Sequence, residues 1–287
     1  MTVAATATGA APDALSQRDF ARLARYIHET SGIRMPPTKR TMLEGRLRKR
    51  VRALDLPDLA SYCRYLFDLG GLAREAVSLI DVVTTNKTEF FREPGHFQYL
   101  LDKGLPDLAE RGAGVVRPLQ VWSAACSTGA EPYTLAMVLG DFGAALRGYR
   151  FGILGTDIST QVLHKAVVAI YPEEAIAPVP MDMRRRYLLR SRGHGPRQVR
   201  IAPELRRHVR FQRVNLIQEP YGVDDAMDIV FCRNLLIYFD KPTQEAVLRR
   251  LTERLRPGGL LFVGHSESVT GFDLPLRTVA NSVFVRA

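Results

Sequence analysis

Three cysteines in 287 residues, Cys63, Cys126 and Cys232, are too few and too scattered for a disulfide framework. None belongs to a Cys-x-x-Cys pair, so no zinc site is indicated and no metal is expected. Free thiols suit a reducing compartment, and the expected localisation is cytoplasmic. No apolar run approaches the roughly 20 residues that a membrane-spanning helix requires, so no membrane insertion is expected. Residues 1–14 are rich in Ala and Thr, without the early cationic cluster or apolar core of a signal peptide. They are expected to form a disordered lead-in. No internal repeat is visible. What remains is globular: 46% hydrophobic residues suffice for a full core.

The net charge of +10 is unevenly distributed. Residues 1–80 hold 13 Lys/Arg against 8 Asp/Glu, and residues 182–213 hold 11 Arg against Asp182 and Glu204. Two basic surfaces on a mildly acidic body imply an acidic partner, with nucleic acid the usual first candidate. Arginine-rich faces that only aid solubility are the plainer alternative.

The first 80 residues read as helices. Ser16 with Asp19 caps a pattern of Phe20, Leu23, Ala24 and Ile27 that stops at Gly32. A second helix, 38–54, carries Met42, Leu43, Leu47, Val51 and Leu54 on one side. Lys39, Arg46, Lys49, Arg50 and Arg52 are expected on the other. A third helix follows Pro57, and a fourth spans 72–83. The boundaries predicted are a helical domain over 15–80, a linker with an entry helix over 81–116, and an α/β domain over 117–287. In that last part short apolar runs (119–124, 151–156, 227–232, 260–263) alternate with helical patterns (133–139, 161–169, 244–255). Such alternation indicates a doubly wound, mainly parallel sheet. The tail, 274–287, reads as two strands at an antiparallel edge. An Arg- and Gly-rich stretch, 178–208, breaks the alternation and looks inserted.

Open α/β sheets bind ligands beyond the carboxyl ends of their strands. The first strand leads into Trp122-Ser-Ala-Ala-Cys-Ser-Thr-Gly-Ala-Glu-Pro-Tyr133, which has one glycine where a dinucleotide fold needs Gly-x-Gly-x-x-Gly. Glu131, in the first helical turn, suits the helix dipole but repels phosphate. A cationic ligand fits better, and S-adenosylmethionine carries a sulfonium and an ammonium and no phosphate. A capping glutamate beside Pro132 explains Glu131 equally well. Asp157, after the second strand, can accept from both ribose hydroxyls. Acidic residues at both strand ends, without the glycine fingerprint, favour the cofactor reading. Val214-Asn215-Leu216 and Phe231-Cys232-Arg233-Asn234 lie at or beyond apolar strands, where polar groups could hold an adenine.

These motifs, with Thr84-Thr-Asn-Lys-Thr-Glu-Phe-Phe-Arg92, Ile237-Tyr-Phe-Asp240 and Gly264-His-Ser-Glu267, resemble the CheR family of chemotaxis receptor glutamate methyltransferases in order and spacing, from about Phe20 to Val285. The resemblance implies a class I S-adenosylmethionine-dependent methyltransferase: a Rossmann-like doubly wound sheet, an all-helical N-terminal domain and a small inserted antiparallel β-subdomain. It implies cofactor contacts at Asn86, Thr88, Arg92, Glu131, Asp157, Asn215, Leu216, Cys232 and Arg233, with S-adenosylhomocysteine as product. It also implies monomeric action on methyl-accepting receptors rather than on nucleic acid. Two departures are Ala130, where members often have a glutamate, and Lys87, where a leucine is common.

The implied reaction is an in-line attack by a receptor glutamate carboxylate on a sulfonium-bound methyl. That carboxylate, with a reference pKa of about 4.3, is already ionised at neutral pH and needs no general base. Arg92 is suited to orient it with paired N–H donors and Tyr238 to donate a hydroxyl. His96 and His265 are then expected to be structural. Arg46, Lys49 and Arg50 are expected to meet acidic receptor helices. A nucleic-acid methyltransferase would carry an Asn/Asp-Pro-Pro-aromatic loop or a Pro-Cys nucleophile, and neither occurs. A non-catalytic adaptor of a signalling array is the remaining alternative.

Overall fold

The computed structural model describes residues 13–192, 195–223 and 226–287. Most of the expected lead-in, up to residue 12, lies outside the described residues. The chain forms two compact units, one with the described residues up to Thr30 and Arg34–Val83, the other with Ser31–Ile33 and Thr84–Ala287.

The first unit is helical: α1 (Gln17–Ser31), α2 (Arg40–Ala53), α3 (Leu59–Phe67) and α4 (Leu72–Val83). Ser16 Oγ accepts from the Asp19 N–H at 3.0 Å, and Asp58 accepts from the Ser61 N–H at 2.7 Å, so side chains satisfy the orphan donors that open α1 and α3. Residues 38 and 39, expected as the start of the second helix, belong instead to a tighter 3₁₀ turn, Pro37–Lys39, behind Pro36. Leu43, Leu47 and Val51 of α2 are buried with Leu59, Tyr62 and Leu66 of α3 and Leu79 and Ile80 of α4.

The second unit begins with α5 (Pro94–Tyr99), a π turn at Leu100–Gly104 and α6 (Leu105–Glu110). Pro106 has no N–H for the α-helical ladder, and the Leu105 N–H bonds back to Leu100 across the wider π turn. There follow β1 (Leu119–Ala124), α7 (Ala130–Ala144), β2 (Phe151–Asp157), α8 (Thr160–Val168), β3 (Ile170–Pro172), α9 (Met181–Tyr187), β4 (Leu188–Arg190), β5 (Gln198–Ile201), α10 (Pro203–Arg206), β6 (Val209–Arg213), β7 (Met227–Cys232), α11 (Lys241–Arg254), β8 (Leu255–Val263), β9 (Leu276–Ala280) and β10 (Val283–Arg286). Seven strands form one sheet in the order β6-β2-β1-β7-β8-β10-β9, with β10 antiparallel to both neighbours. The expected antiparallel edge is therefore present, with β10 turned inward. On one face of the sheet lie Val121, Ile153, Ile229 and Phe262 with Leu135 and Leu139 of α7; on the other lie Trp122, Leu154 and Val230 with Val247, Leu248 and Leu251 of α11.

The inserted stretch differs from its expected bounds of 178–208. The small antiparallel sheet has the order β3-β5-β4, so its first strand comes from residues 170–172, eight residues upstream. Two of its intervening residues, 193 and 194, lie outside the described ones. After α10, strand β6 returns to the edge of the main sheet beside β2. Its sequence, Val-Arg-Phe-Gln-Arg, packs Val209 and Phe211 against the core, while Arg210 between them is exposed.

Candidate functional site

The strand order reverses beside β1, whose neighbours are β2 and β7, and this switch point opens a crevice at the carboxyl edge. The register aligns Ala124 with Thr156 on one side and Cys232 on the other, and Cys232 with Val263. The loops after β1, β2, β7 and β8 therefore emerge at one level. Asp157↔Arg213 pairing on β2 and β6 brings Val214-Asn215 to the same edge.

Asp157 closes β2 with a buried carboxylate. Its Oδ2 accepts from the Ser127 N–H and its Oδ1 from the Ser159 N–H, both at 2.9 Å. Ser127 Oγ donates in turn to the Asn86 carbonyl at 3.0 Å, tying the segment before α5 to the loop after β1. The Asn86 amide donates to Thr84 Oγ1 at 3.1 Å. Asn86 and Thr88 are half-buried and Lys87 is exposed.

Glu131, buried in the first turn of α7, has a partner on each oxygen: Oε1 accepts from Ser123 Oγ at 2.6 Å and Oε2 from Arg233 Nε at 2.7 Å. The sequence offers Glu131 as a partner for a cation or as a helix-capping glutamate. The structure places a guanidinium beside it. Arg233 also donates to the Arg92 carbonyl at 2.6 Å and lies 3.5 Å from Glu93 Oε2 and 3.3 Å from His96 Nδ1. Arg92 is half-buried as a residue, and its guanidinium donates to the Lys87 carbonyl at 3.2 Å.

Leu216 is buried and its carbonyl accepts from the Tyr221 hydroxyl at 2.5 Å; Asn215 is half-buried, its Oδ1 accepting from the Ile217 N–H at 3.3 Å. Cys232 is fully enclosed in the core, and burial pushes its thiol well above the ordinary range. Its thiol is turned into the core rather than toward solvent. Tyr238 lies half-buried in a 3₁₀ turn, Leu236–Tyr238.

Sequence reasoning missed the residues that hold these loops. Glu267 accepts from the backbone N–H groups of Gly264 (2.6 Å), Asn234 (2.8 Å), Leu236 (2.6 Å) and Ile237 (3.4 Å), fixing the turn that carries Tyr238. Burial pushes the Glu267 carboxyl up, against those four donors. Glu93 accepts from the Asn234 amide at 3.2 Å and from the His265 N–H at 3.4 Å. Burial acts against its ionised form, yet Asn234 and Arg233 prevail and hold the carboxyl below its usual range. Glu267 closes the Gly264-His-Ser-Glu267 motif and Glu93 directly follows Arg92, but their long-range partners are not visible in the sequence.

Phe91, Glu93, Ala125, Ser127 and Asn234 are non-glycine residues with φ between 51° and 60°, all in these loops. Left-handed backbone at such residues costs on the order of 1–3 kcal/mol each and persists where surrounding bonds over-determine it. Gly129 at φ 90° begins α7, and an added Cβ would lie 2.9 Å from the Ala166 Cβ.

Glu93, His96 and His265 offer ligand atoms within 4.8 Å of one another. The Arg233 guanidinium already lies against two of these atoms, so the local cation is organic. His96 is buried, and that burial, with Arg233 beside it, lowers its pKa to about 4. The ring is neutral at pH 7.

In the helical unit Lys49 is exposed, Arg46 is half-buried and donates to the Val83 carbonyl, and Arg50 turns inward. Arg50 Nε lies 2.5 Å from Glu75 Oε1 and its second nitrogen 3.1 Å from Oε2. The expectation of Arg50 on the outer face is corrected: a buried carboxylate draws it in.

The sheet order, the reversed strand at its edge and the acidic residues at the ends of β1 and β2 define a class I S-adenosylmethionine-dependent methyltransferase. Carboxylates without a phosphate-binding glycine loop fit a sulfonium ligand, with Asp157 suited to the ribose and Glu131 to the cationic end. Residues 86–285 match the model of the CheR methyltransferase SAM-binding domain, and residues 18–84 that of its all-alpha domain. The chain belongs to the CheR family of chemotaxis methyltransferases, and its cofactor is S-adenosylmethionine. It is 40% identical over 270 residues to the chemotaxis protein methyltransferase of Salmonella typhimurium, covering 93% of this chain and 90% of that one. The Escherichia coli K12 protein is 40% identical over 255 residues, covering 89% and 86%. Chemotaxis protein methyltransferase 2 of Pseudomonas aeruginosa is 36% identical over 273 residues, covering 94% and 93%.

Proposed function

We propose that this enzyme esterifies glutamate side chains on the acidic helices of methyl-accepting chemotaxis receptors, acting as a cytoplasmic monomer and leaving S-adenosylhomocysteine. The observation that supports it most is the tie between Arg92 and the cofactor crevice: Arg233 bonds the Arg92 carbonyl and the Glu131 carboxylate together. This fixes the backbone of Arg92 at the edge where a carboxylate nucleophile would arrive. Arg92 then orients that carboxylate through paired N–H donors, and Tyr238, set by the Glu267 cradle, donates its hydroxyl.

The bound cofactor supplies a methyl group on a cationic sulfur. The protein aligns the reacting atoms and keeps water out; no proton needs to be removed. The chemistry of the histidines agrees, since His96 is buried and neutral and packs edge-on against His265 and Phe262. Asn86, Thr88, Asn215 and Leu216 border the cofactor in this reading, while Lys49 and Arg46 of α2 face the receptor. Among the described residues no helix is long and apolar enough to cross a membrane. Incubation with methyl-labelled cofactor and receptor-bearing membranes, followed by mild alkali, tests the proposal. Carboxyl esters release labelled methanol; label that survives alkali on an amine or on nucleic acid would refute it.

A further inference from the structure

Glu131 alone does not give the crevice a negative charge. Arg233 Nε sits 2.7 Å from its carboxylate with a side chain only 2% exposed, so the pair is electrically neutral toward a ligand. Every other partner of Arg233 is neutral except one. The Arg92 carbonyl and the uncharged His96 ring accept from it without compensating its charge, whereas Glu93 Oε2 lies 3.5 Å from the same guanidinium. The cluster Glu131–Arg233–Glu93 therefore carries one surplus negative charge, and Glu93 supplies it.

Glu93 is held for this task. Its backbone takes φ 56°, and Asn234 and the His265 N–H fix one carboxylate oxygen while the other faces Arg233 and His96. The side chain is 13% exposed, so its charge acts on its neighbours with little screening by water.

We propose that Glu93 is a positioning residue of the cofactor site: by sharing Arg233, it leaves Glu131 with the net negative charge that a sulfonium ligand requires. The inference rests on the cofactor assignment and is independent of which receptor side chain is methylated.

S-adenosylmethionine and S-adenosylhomocysteine share the adenosine and the ammonium and differ in the methyl group and the sulfur's positive charge. Calorimetry with both ligands therefore isolates the charge. Glu93→Gln keeps the volume and the bond to Asn234 and removes the charge. Relative to the parent chain it is expected to shift the S-adenosylmethionine to S-adenosylhomocysteine affinity ratio about tenfold toward the thioether, equivalent to ~1.4 kcal/mol. Glu93→Asp, which keeps the charge, is expected to preserve the parent ratio even if both affinities fall. Should Glu93→Gln not fold, Glu93→Asn provides a shorter neutral side chain with the same expectation. Equal weakening of both ligands by a neutral variant, or the same ratio shift in the Asp variant, would overturn the proposal. Failure of the parent chain to bind either ligand would instead refute the cofactor assignment.

Discussion

Arg50 of α2 and Glu75 of α4 form a two-pronged ion pair inside the helical unit, and the Tyr62 hydroxyl donates to the same carboxylate at 3.1 Å. The Glu75 side chain is only 4% exposed, so the pair is structural, whatever the outer face of α2 does. Removing one partner of a buried pair leaves an uncompensated charge, at a cost of roughly 3–5 kcal/mol. Arg50→Ala is thus expected to lower the melting temperature sharply, whereas Lys49→Ala and Arg52→Ala, at exposed positions, leave it unchanged. If the outer face meets acidic receptor helices, the Lys49 and Arg52 variants slow methylation at low salt, and the difference fades at physiological salt, where the Debye length is about 8 Å. Thermal melts and rates across a salt series check both halves.

Asp157→Ala removes acceptors from a ribose and from the Ser127 and Ser159 N–H groups at once. Loss of charged hydrogen bonds predicts cofactor binding weaker by ~1–3 kcal/mol. Unchanged affinity by calorimetry would remove Asp157 from the site.

Arg92→Ala is expected to reduce kcat about 100-fold, the scale for deleting one preorganised donor, with a much smaller change in cofactor affinity. Arg92→Lys recovers little of this, since an ammonium cannot reproduce two parallel N–H donors. Tyr238→Phe acts in the same direction more mildly. Single-turnover rates at saturating cofactor separate chemistry from binding.

His96 makes stability depend on pH with a definite sign. The unfolded chain protonates this ring near pH 6.5, whereas the folded chain holds it neutral down to about 4. Its contribution is complete above pH 6.5 and is lost as pH falls toward 4. His208, also lowered chiefly by burial, contributes in the same direction. Glu93, held below 4.5, adds its own loss only in more acidic solution. Replacing His96 with Gln is therefore expected to flatten the fall in melting temperature between pH 6.5 and 4.5 without abolishing it. An unchanged slope would show that the buried ring does not control it.

Segments that are locally self-consistent were legible in the sequence. The runs 119–124 and 227–232 and the helix 72–83 have the bounds of β1, β7 and α4. The acidic residues after β1 and β2 were legible because the strand–turn–helix rhythm itself locates the carboxyl edge. Strand β6 was not, because it carries only two apolar residues, Val209 and Phe211, and its arginines fall in the basic segment 182–213. Nor was β3, three residues whose strand character exists only through pairing with β5, almost thirty positions on. Left-handed backbone at Phe91, Glu93 and Ser127 leaves no glycine to announce it. The inward turn of Arg50 and the neutralisation of Glu131 by Arg233 depend on partners 25 and 102 residues away, beyond the reach of any local pattern.

Trp122, the single tryptophan of the chain, lies fully buried in β1 with its indole N–H on Thr156 Oγ1 at 2.9 Å, one residue before Asp157. Its emission is therefore an optical probe placed in the catalytic unit. Far-ultraviolet dichroism, by contrast, reads both. The two signals plotted on one denaturant axis would reveal whether the units melt together or in sequence, with no label attached. Cofactor titration followed at the same wavelength would register any rearrangement of the strand beneath the crevice.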